Sequence, residues 1–272
     1  MFFPAQPAPQ LTSFVHSYVQ IQAYCDEAVL FWPIPARSFT CLEFTFGNPY
    51  RIHRLDGSRH TERYPSHVIG PKTYSQIRLE LHGCVETFGI LFQPMGLQRL
   101  FSVPGSKIVN DHFDAQAVLG PAIKALHSRL EEAIALPDRV RIADEYFSAR
   151  LPASNLQSDI AMTAREIIAR QGHVQIQQLA DTTGWSLRHF ERRFAEAVGI
   201  TPKLYARIAR FEAAVHRKAT APATNWTEIA HEFHYHDQMH MIHDFTLLSG
   251  ASPTSLVSQL ADLMSTVPCR QE

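Results

Sequence analysis

The spacing of apolar residues changes near residue 118. Before it, apolar residues come in short runs rich in β-branched and aromatic side chains, at 39–46, 66–69, 77–81 and 85–92. Such runs predict strands. Gly47-Asn48-Pro49, Asp56-Gly57-Ser58, Gly70-Pro71 and His82-Gly83 punctuate them and predict turns. From Val118 onward, Leu119, Ile123, Leu126, Leu130 and Ile134 recur at steps of three and four, which predicts one amphipathic helix. That stripe has two uses: to pack on the β-rich region, or on the same stripe of a second copy. A second helical stretch covers 140–151, and Leu151-Pro152-Ala153-Ser154-Asn155 reads as a linker.

Past Ser158 nearly every segment has a helical period. Ile160, Ala164, Ile167 and Ile168 share one face of a helix over 160–171, with Gly172 at the position of a helix-ending residue. Ser186 is a candidate N-cap for a helix through Ala197, and Thr201-Pro202 and Ser252-Pro253 each place a cap before a proline at the first helical position. Asn225-Trp226-Thr227-Glu228 spells an Asn/Glu form of the capping box. The region also repeats. Leu179-Ala180 returns as Ile229-Ala230 and Trp185 as Tyr235, 50 residues on. Phe190 returns as Met241, Phe194 as Phe245, Gly199 as Gly250 and Pro202 as Pro253, 51 residues on. The unit is a short helix, a tight turn, a second helix, Gly and Ser/Thr-Pro, which is a helix-turn-helix present twice. The second helix of such a unit fits the major groove of B-DNA, and two units joined by a helix reach successive grooves.

The 272 residues, 45% hydrophobic and 19% charged, suffice for two ordinary domains and argue against a mostly disordered chain. No apolar run reaches membrane-spanning length, and no secretory signal is visible, so the expectation is a cytoplasmic protein without a membrane partner. The four cysteines, Cys25, Cys41, Cys84 and Cys269, form no CxxC pair and read as scattered thiols rather than a disulfide framework. The formal net charge of −1 would discourage nucleic acid if it were uniform. It is not. Residues 181–218 hold eight Lys/Arg against four Asp/Glu, a net +4, whereas 219–272 hold one against six, a net −5. A local basic stretch can neutralise phosphates whatever the total.

Residues 160–260 resemble the DNA-binding domain of AraC/XylS-type transcription regulators. The residues that carry this are Leu179-Ala180, Gly184-Trp185-Ser186, Phe190, Phe194 and Gly199-Ile200-Thr201-Pro202, then Ile229-Ala230, Tyr235, Asp237-Gln238, His240, Ile242, Asp244-Phe245 and Gly250-Ala251-Ser252-Pro253. The N-terminal region resembles the β-barrel sensor domains that precede such halves, chiefly through Phe88–Leu97 followed by Leu100-Phe101. The reading is therefore an α+β chain. Residues 1–117 form a β-rich, barrel-like (cupin-like) sensor domain, and 118–151 a helical connector or dimerisation segment. Residues 152–158 are a linker, and 159–264 an all-α domain with two helix-turn-helix units.

The resemblance implies a one-component regulator that is not an enzyme, binds double-stranded DNA and needs no cofactor. RNA polymerase, a small-molecule effector and a second copy of the chain are the further partners it admits. Matched positions in the first recognition helix are Arg188, Glu191 and Arg192, flanked by Ser186 and His189. On a helix beginning at Ser186 these three share the face opposite Phe190 and Phe194. Arginine can pair with guanine O6 and N7, and glutamate can accept from cytosine N4. Arg193, Lys203 and Arg207 are the expected phosphate contacts. In the second helix the matched positions are Gln238, Met239, His240 and His243. Here the family pattern is broken: His234 stands where Gly is usual, His243 stands where Arg is usual, and no Lys or Arg lies between Ala219 and Arg270. Binding is therefore expected to be asymmetric, with the first unit holding most of the phosphates.

Four other readings remain. His236, His240 and His243, spaced i, i+4, i+7, would share a helix face and could take zinc, or could gain charge near pH 6 and strengthen phosphate contact. A redox-responsive regulator would use Cys25, Cys41 or Cys84. A barrel enzyme, such as a metal-dependent dioxygenase, would need a metal cluster that His53, His60, His67 and His82 do not spell.

Overall fold

The computed structural model describes residues 2–264 apart from 49, 55–58, 61–63, 76 and 154–157. The first part is an antiparallel sheet of eight strands: β1 (Phe2–Ala5), β2 (Val15–Ile34), β3 (Cys41–Thr45), β4 (Arg51–Arg54), β5 (Arg59–His60), β6 (Ser66–Ile69), β7 (Ile77–Phe92) and β8 (His112–Asp114). They follow the path β1-β2-β7-β3-β6-β8, with β4 and β5 branching from β7. Strand β7 organises the sheet. One edge pairs with β2 along almost its whole length, and the other pairs with β3 through 87–91 and with β4 through 77–80.

Two expectations fail in this sheet. His82-Gly83 is not a turn: β7 runs straight through it, Gly83 takes φ +64, and the pairing with β2 slips just beyond Gly83, between Cys25 and Leu30. An isolated glycine inside a strand often marks a bulge or irregular pairing. Strand β2, 20 residues long, also escapes the apolar pattern. The turn expected at Asp56-Gly57-Ser58 lies outside the described residues.

After α1 (Gly96–Phe101), the chain forms α2 (Ala115–Leu119), α3 (Ala122–Glu132) and α4 (Leu136–Ser148). The single helix expected over 118–134 is two helices. Gly120, at φ 96, and Pro121 break it, and α3 ends before Ile134, which is 69% exposed. The stripe Ile123, Leu126 and Leu130 is buried with Leu42, Phe44, Phe88 and Ile90 of the sheet. It packs within the chain, so it is not an open dimerisation surface. Arg139 of α4, itself buried, secures this packing. Its Nε donates to the carbonyls of Leu130 and Ala133 at the end of α3, and its guanidinium pairs with Glu86 of β7 at 2.6 Å.

The second part contains α5 (Asp159–Ala169), α6 (Ile176–Thr182), α7 (Leu187–Val198), α8 (Pro202–Thr220), α9 (Trp226–Glu232), α10 (Gln238–Ser249) and α11 (Pro253–Met264). Its core joins Phe190, Phe194, Tyr205, Phe211, Met241 and Phe245 to the inward residues of α5, while Ile168, expected on that face, is 39% exposed. Most of the linker expected at 152–158 lies outside the described residues.

The two parts are in contact. Ala36, ahead of β3, is buried in the helical core, and its amide donates to the carbonyl of Leu248 near the end of α10. At the end of α7, the turn at Gly105 lies so close that a Cβ on Gly105 would clash with the carbonyl of Val198. Both second helices of the repeat thus have their C-terminal ends against the sheet domain.

Candidate nucleic-acid interface

The repeat has matched helices. α6 and α9 each have seven residues, and α7 and α10 each have twelve. Their starts are capped alike: the Ser186 side chain accepts from the His189 amide, and Asp237 accepts from the His240 amide at 2.7 Å. That amide, together with His236, holds the Asp237 carboxyl below its ordinary range. Gly199 and Gly250, at φ 100 and 74, close α7 and α10 in the left-handed conformation. Thr201 and Ser252 then cap the helices that follow, through the amides of Leu204 and Ser255. Asn225 accepts from the Glu228 amide, and its own side-chain amide donates to the Glu228 carboxylate at 2.8 Å.

The turns carry the extra residue of the second copy. Gly184 has φ 71, and His234, the residue at the same place, keeps the left-handed backbone at φ 56. A side chain there costs strain. A ring stack offsets part of it: His234 lies 3.7 Å from His173, centroid to centroid, with the planes 23° apart. Burial and the neighbouring His234, Arg210 and Arg170 lower the His173 pKa.

Each second helix buries one face and exposes the other. On α7, Phe190, Phe194 and Val198 are buried, whereas Arg188, Glu191, Arg192 and Arg193 are exposed and His189 is half-buried. His189 receives the edge of Trp185 and an Arg192 hydrogen bond at 3.3 Å. Arg192 and Arg193 both lie within 4 Å of Glu196, as exposed, weak pairs. Lys203 is exposed at the start of α8. On α10, Met241, Phe245 and Leu248 are buried and Gln238, Met239, His240 and His243 are exposed, Met239 by 70%. The oxygen of Gln238 accepts from Thr227 at 3.0 Å.

Arg207, expected at a phosphate, is also held within the protein. Its Nε and Nη2 both bond Oδ1 of Asp244, at 2.9 and 2.8 Å, and Asp244 is 2% exposed. Arg207 therefore ties α8 to α10. The zinc geometry is corrected: His236 precedes the cap of α10, so it does not share a helix face with His240 and His243. Among the described residues no three His, Cys, Asp or Glu side chains form a group that could hold a metal ion. Cys25 and Cys41 are free and buried, and burial pushes the Cys41 thiol up to about 12, far from a reactive thiolate. Cys84 is disulfide-bonded, which departs from the expectation of scattered thiols.

The sequence reading missed a cavity of about 570 Å³ where the domains meet. Leu91, Phe92, Pro94, Met95 and Val103 line it from the sheet domain, and Val198, Tyr205, Ala209, Glu212 and Ala213 from the helical domain. Its size suits a small organic molecule. Ala209, Glu212, Ala213 and His216 form one stripe of α8, and the two alanines leave the space open. Glu212 bridges the domains: Oε1 accepts from the Ser38 amide at 3.2 Å and Oε2 from the Ser38 hydroxyl at 2.5 Å. Burial pushes its carboxyl up to about 7, against the opposing pull of the Ser38 hydrogen bonds and Arg37. The sequence signal is a lone carboxylate among alanines on the inner face of α8.

A family model described as a helix-turn-helix domain matches residues 179–259, from within α6 into α11. The residues of the repeat lie inside that match. Residues 179–259 are an AraC-type helix-turn-helix domain. A second model, described as a domain of unknown function, matches residues 4–114. No curated protein matches the sequence. Among solved structures, ToxT from Vibrio cholerae superposes with a TM-score of 0.53 at 8% identity, covering 89% of this chain and 98% of that one. ToxT with a bound unsaturated fatty acid gives 0.51 at 6% identity, covering 95% of each chain. ToxT bound to (E)-4-(8-methylnaphthalen-1-yl)but-3-enoic acid gives 0.52 at 7% identity, covering 89% and 99%. These likenesses show a common fold: a sheet domain followed by a helical domain. With that domain, the chain is a DNA-binding transcription regulator. No helix among the described residues is long and apolar enough to cross a membrane.

Proposed function

We propose that the chain is a one-component, sequence-specific regulator in which residues 1–117 sense a small molecule and residues 159–264 read DNA. The observation that carries this is the pair of matched helices, α7 and α10, each with one face in a shared core and the other exposed. In the first unit, Ser186, Arg188, His189, Glu191 and Arg192 meet the major groove, and Arg193 and Lys203 meet phosphates. In the second, Gln238, Met239, His240 and His243 meet bases with little phosphate contact. Arg207, which bridges α8 to α10 yet stays 35% exposed, adds a further phosphate contact.

The effector occupies the interdomain cavity. Its walls come from both domains, so an occupant would favour one arrangement of the two over others. That solved ToxT structures hold small organic acids supports an effector here as well. The protein is read as cytoplasmic and non-enzymatic, with RNA polymerase and a second copy as further partners. Selection of bound fragments from random DNA by the full chain tests the reading. The expected result is an enriched site with two unequal half-sites roughly one helical turn apart. Recovery without any enriched sequence would overturn it.

A further inference from the structure

The interdomain cavity is charged in one sense only. Among its lining residues there is no lysine and no arginine, and Glu212 is the single carboxylate. The other polar side chains are neutral amides and hydroxyls such as Gln93, Gln98, Gln171 and Thr40, together with exposed His16 and His216. Arg37 is a cation whose charge acts on Glu212, and it lines a separate, smaller cavity inside the sheet domain with Glu43 and Tyr50. The lining is otherwise apolar.

A half-buried carboxylate beside a largely apolar chamber favours a cationic or hydrogen-bond-donating ligand and repels an anion, because charges interact more strongly where water is scarce. Specificity of this kind is set as much by what is refused as by what is held. We propose that the cavity takes an amphipathic molecule whose polar end is an amine or hydroxyl held by Glu212, and that it refuses carboxylates. This rests on the effector reading above. It also separates the chain from the acid-bound ToxT structures that share its fold. Because Glu212 accepts both hydrogen bonds from Ser38, a donor that engages the carboxylate competes with the contact joining the domains. The same residue thus selects the ligand and registers its arrival.

The test is calorimetric binding of decylamine, decan-1-ol and decanoate, each below its aggregation threshold, to the full DNA-free chain at pH 8. The amine and the alcohol are expected to bind one to one, with decanoate at least about tenfold weaker than the amine. Glu212→Gln keeps the shape and can still bond Ser38. It is expected to bring amine and acid within about threefold of each other. Equal or tighter binding of decanoate to the wild type, or a preference unchanged in Glu212→Gln, overturns the charge selection while leaving an effector cavity in place. Ala213→Phe fills the chamber and is expected to abolish binding of all three. Unchanged binding in that variant, or no binding of any probe to the wild type, overturns the cavity as the site. DNA selection by the same preparation reports separately on the regulator reading.

Discussion

In the first helix-turn-helix unit α7 presents Arg188, Arg192 and Arg193 to solvent, and in the second α10 presents Gln238, Met239, His240 and His243. The helices have the same lengths, the same kind of cap and the same glycine ends. The difference is in where charge is spent. At the position 51 residues after the exposed Arg193 stands Asp244, buried and bonded to Arg207. The first unit keeps its cations outside. The second has no cation on α10, and its acid draws one from α8 inward. One backbone unit thus carries two surfaces: exposed cations in the first copy, and an ion-paired attachment to the linking helix in the second.

The largest expected effect lies at that pair of positions. Asp244→Ala strands the Arg207 guanidinium and should lower unfolding free energy by about 3 kcal/mol, whereas the exposed Arg193→Ala should cost under about 0.5 kcal/mol. Thermal or denaturant unfolding measures both, and similar losses would break the contrast.

Glu212, on the helix that joins the units, should show a pH signature. Its folded pKa of about 7 lies above the ordinary 4.5. Between those values the folded state holds more protons than the unfolded one. The stabilising contribution is therefore complete below about pH 4.5 and lost as pH rises through about 7. Glu212→Gln has no such dependence, so its stability relative to wild type should rise by about 2 to 3 kcal/mol from pH 4 to pH 8. A flat difference in melting profiles would remove the claim.

For DNA, Arg188→Ala should weaken binding about tenfold to a hundredfold and relax one base position. Gln238→Ala should cost no more than about threefold. Equal losses in a titration at fixed salt would sink the asymmetry.

The smallest effect is at the turns. A Cβ on Gly184 meets nothing within 4 Å, so Gly184→Ala pays only for its positive φ and should cost about 1 kcal/mol. His234→Gly relaxes the same strain but loses the stack on His173, so it should change stability by less than about 1 kcal/mol. A large loss from His234→Gly would show that the stack dominates the turn.

The repeat, its caps and its inward face were legible because each rests on local rules. A serine three residues before an amide, a glycine after a last turn and an apolar residue every third or fourth position all act within one or two turns of chain. What failed was non-local or depended on context. The pairing of β2 with β7 joins residues as far apart as Val15 and Phe92, and no local pattern specifies it. Gly83 and Gly120 were both ambiguous punctuation, and the surrounding structure made the first an irregularity within a strand and the second a helix break. The ion pair of Arg207 with Asp244 was not legible, because the two residues stand 37 apart on different helices.

By itself, the sequence determined the doubled helix-turn-helix, the positions of its exposed polar residues and the imbalance of charge between its halves. These follow from helical period, capping and formal charge. Only the tertiary structure decided which charges are free, since an ion pair such as Arg207 with Asp244 depends on how helices cross. It alone also decided that α8 turns Glu212 toward Ser38 and a cavity, because a cavity is the space that packing leaves between two domains.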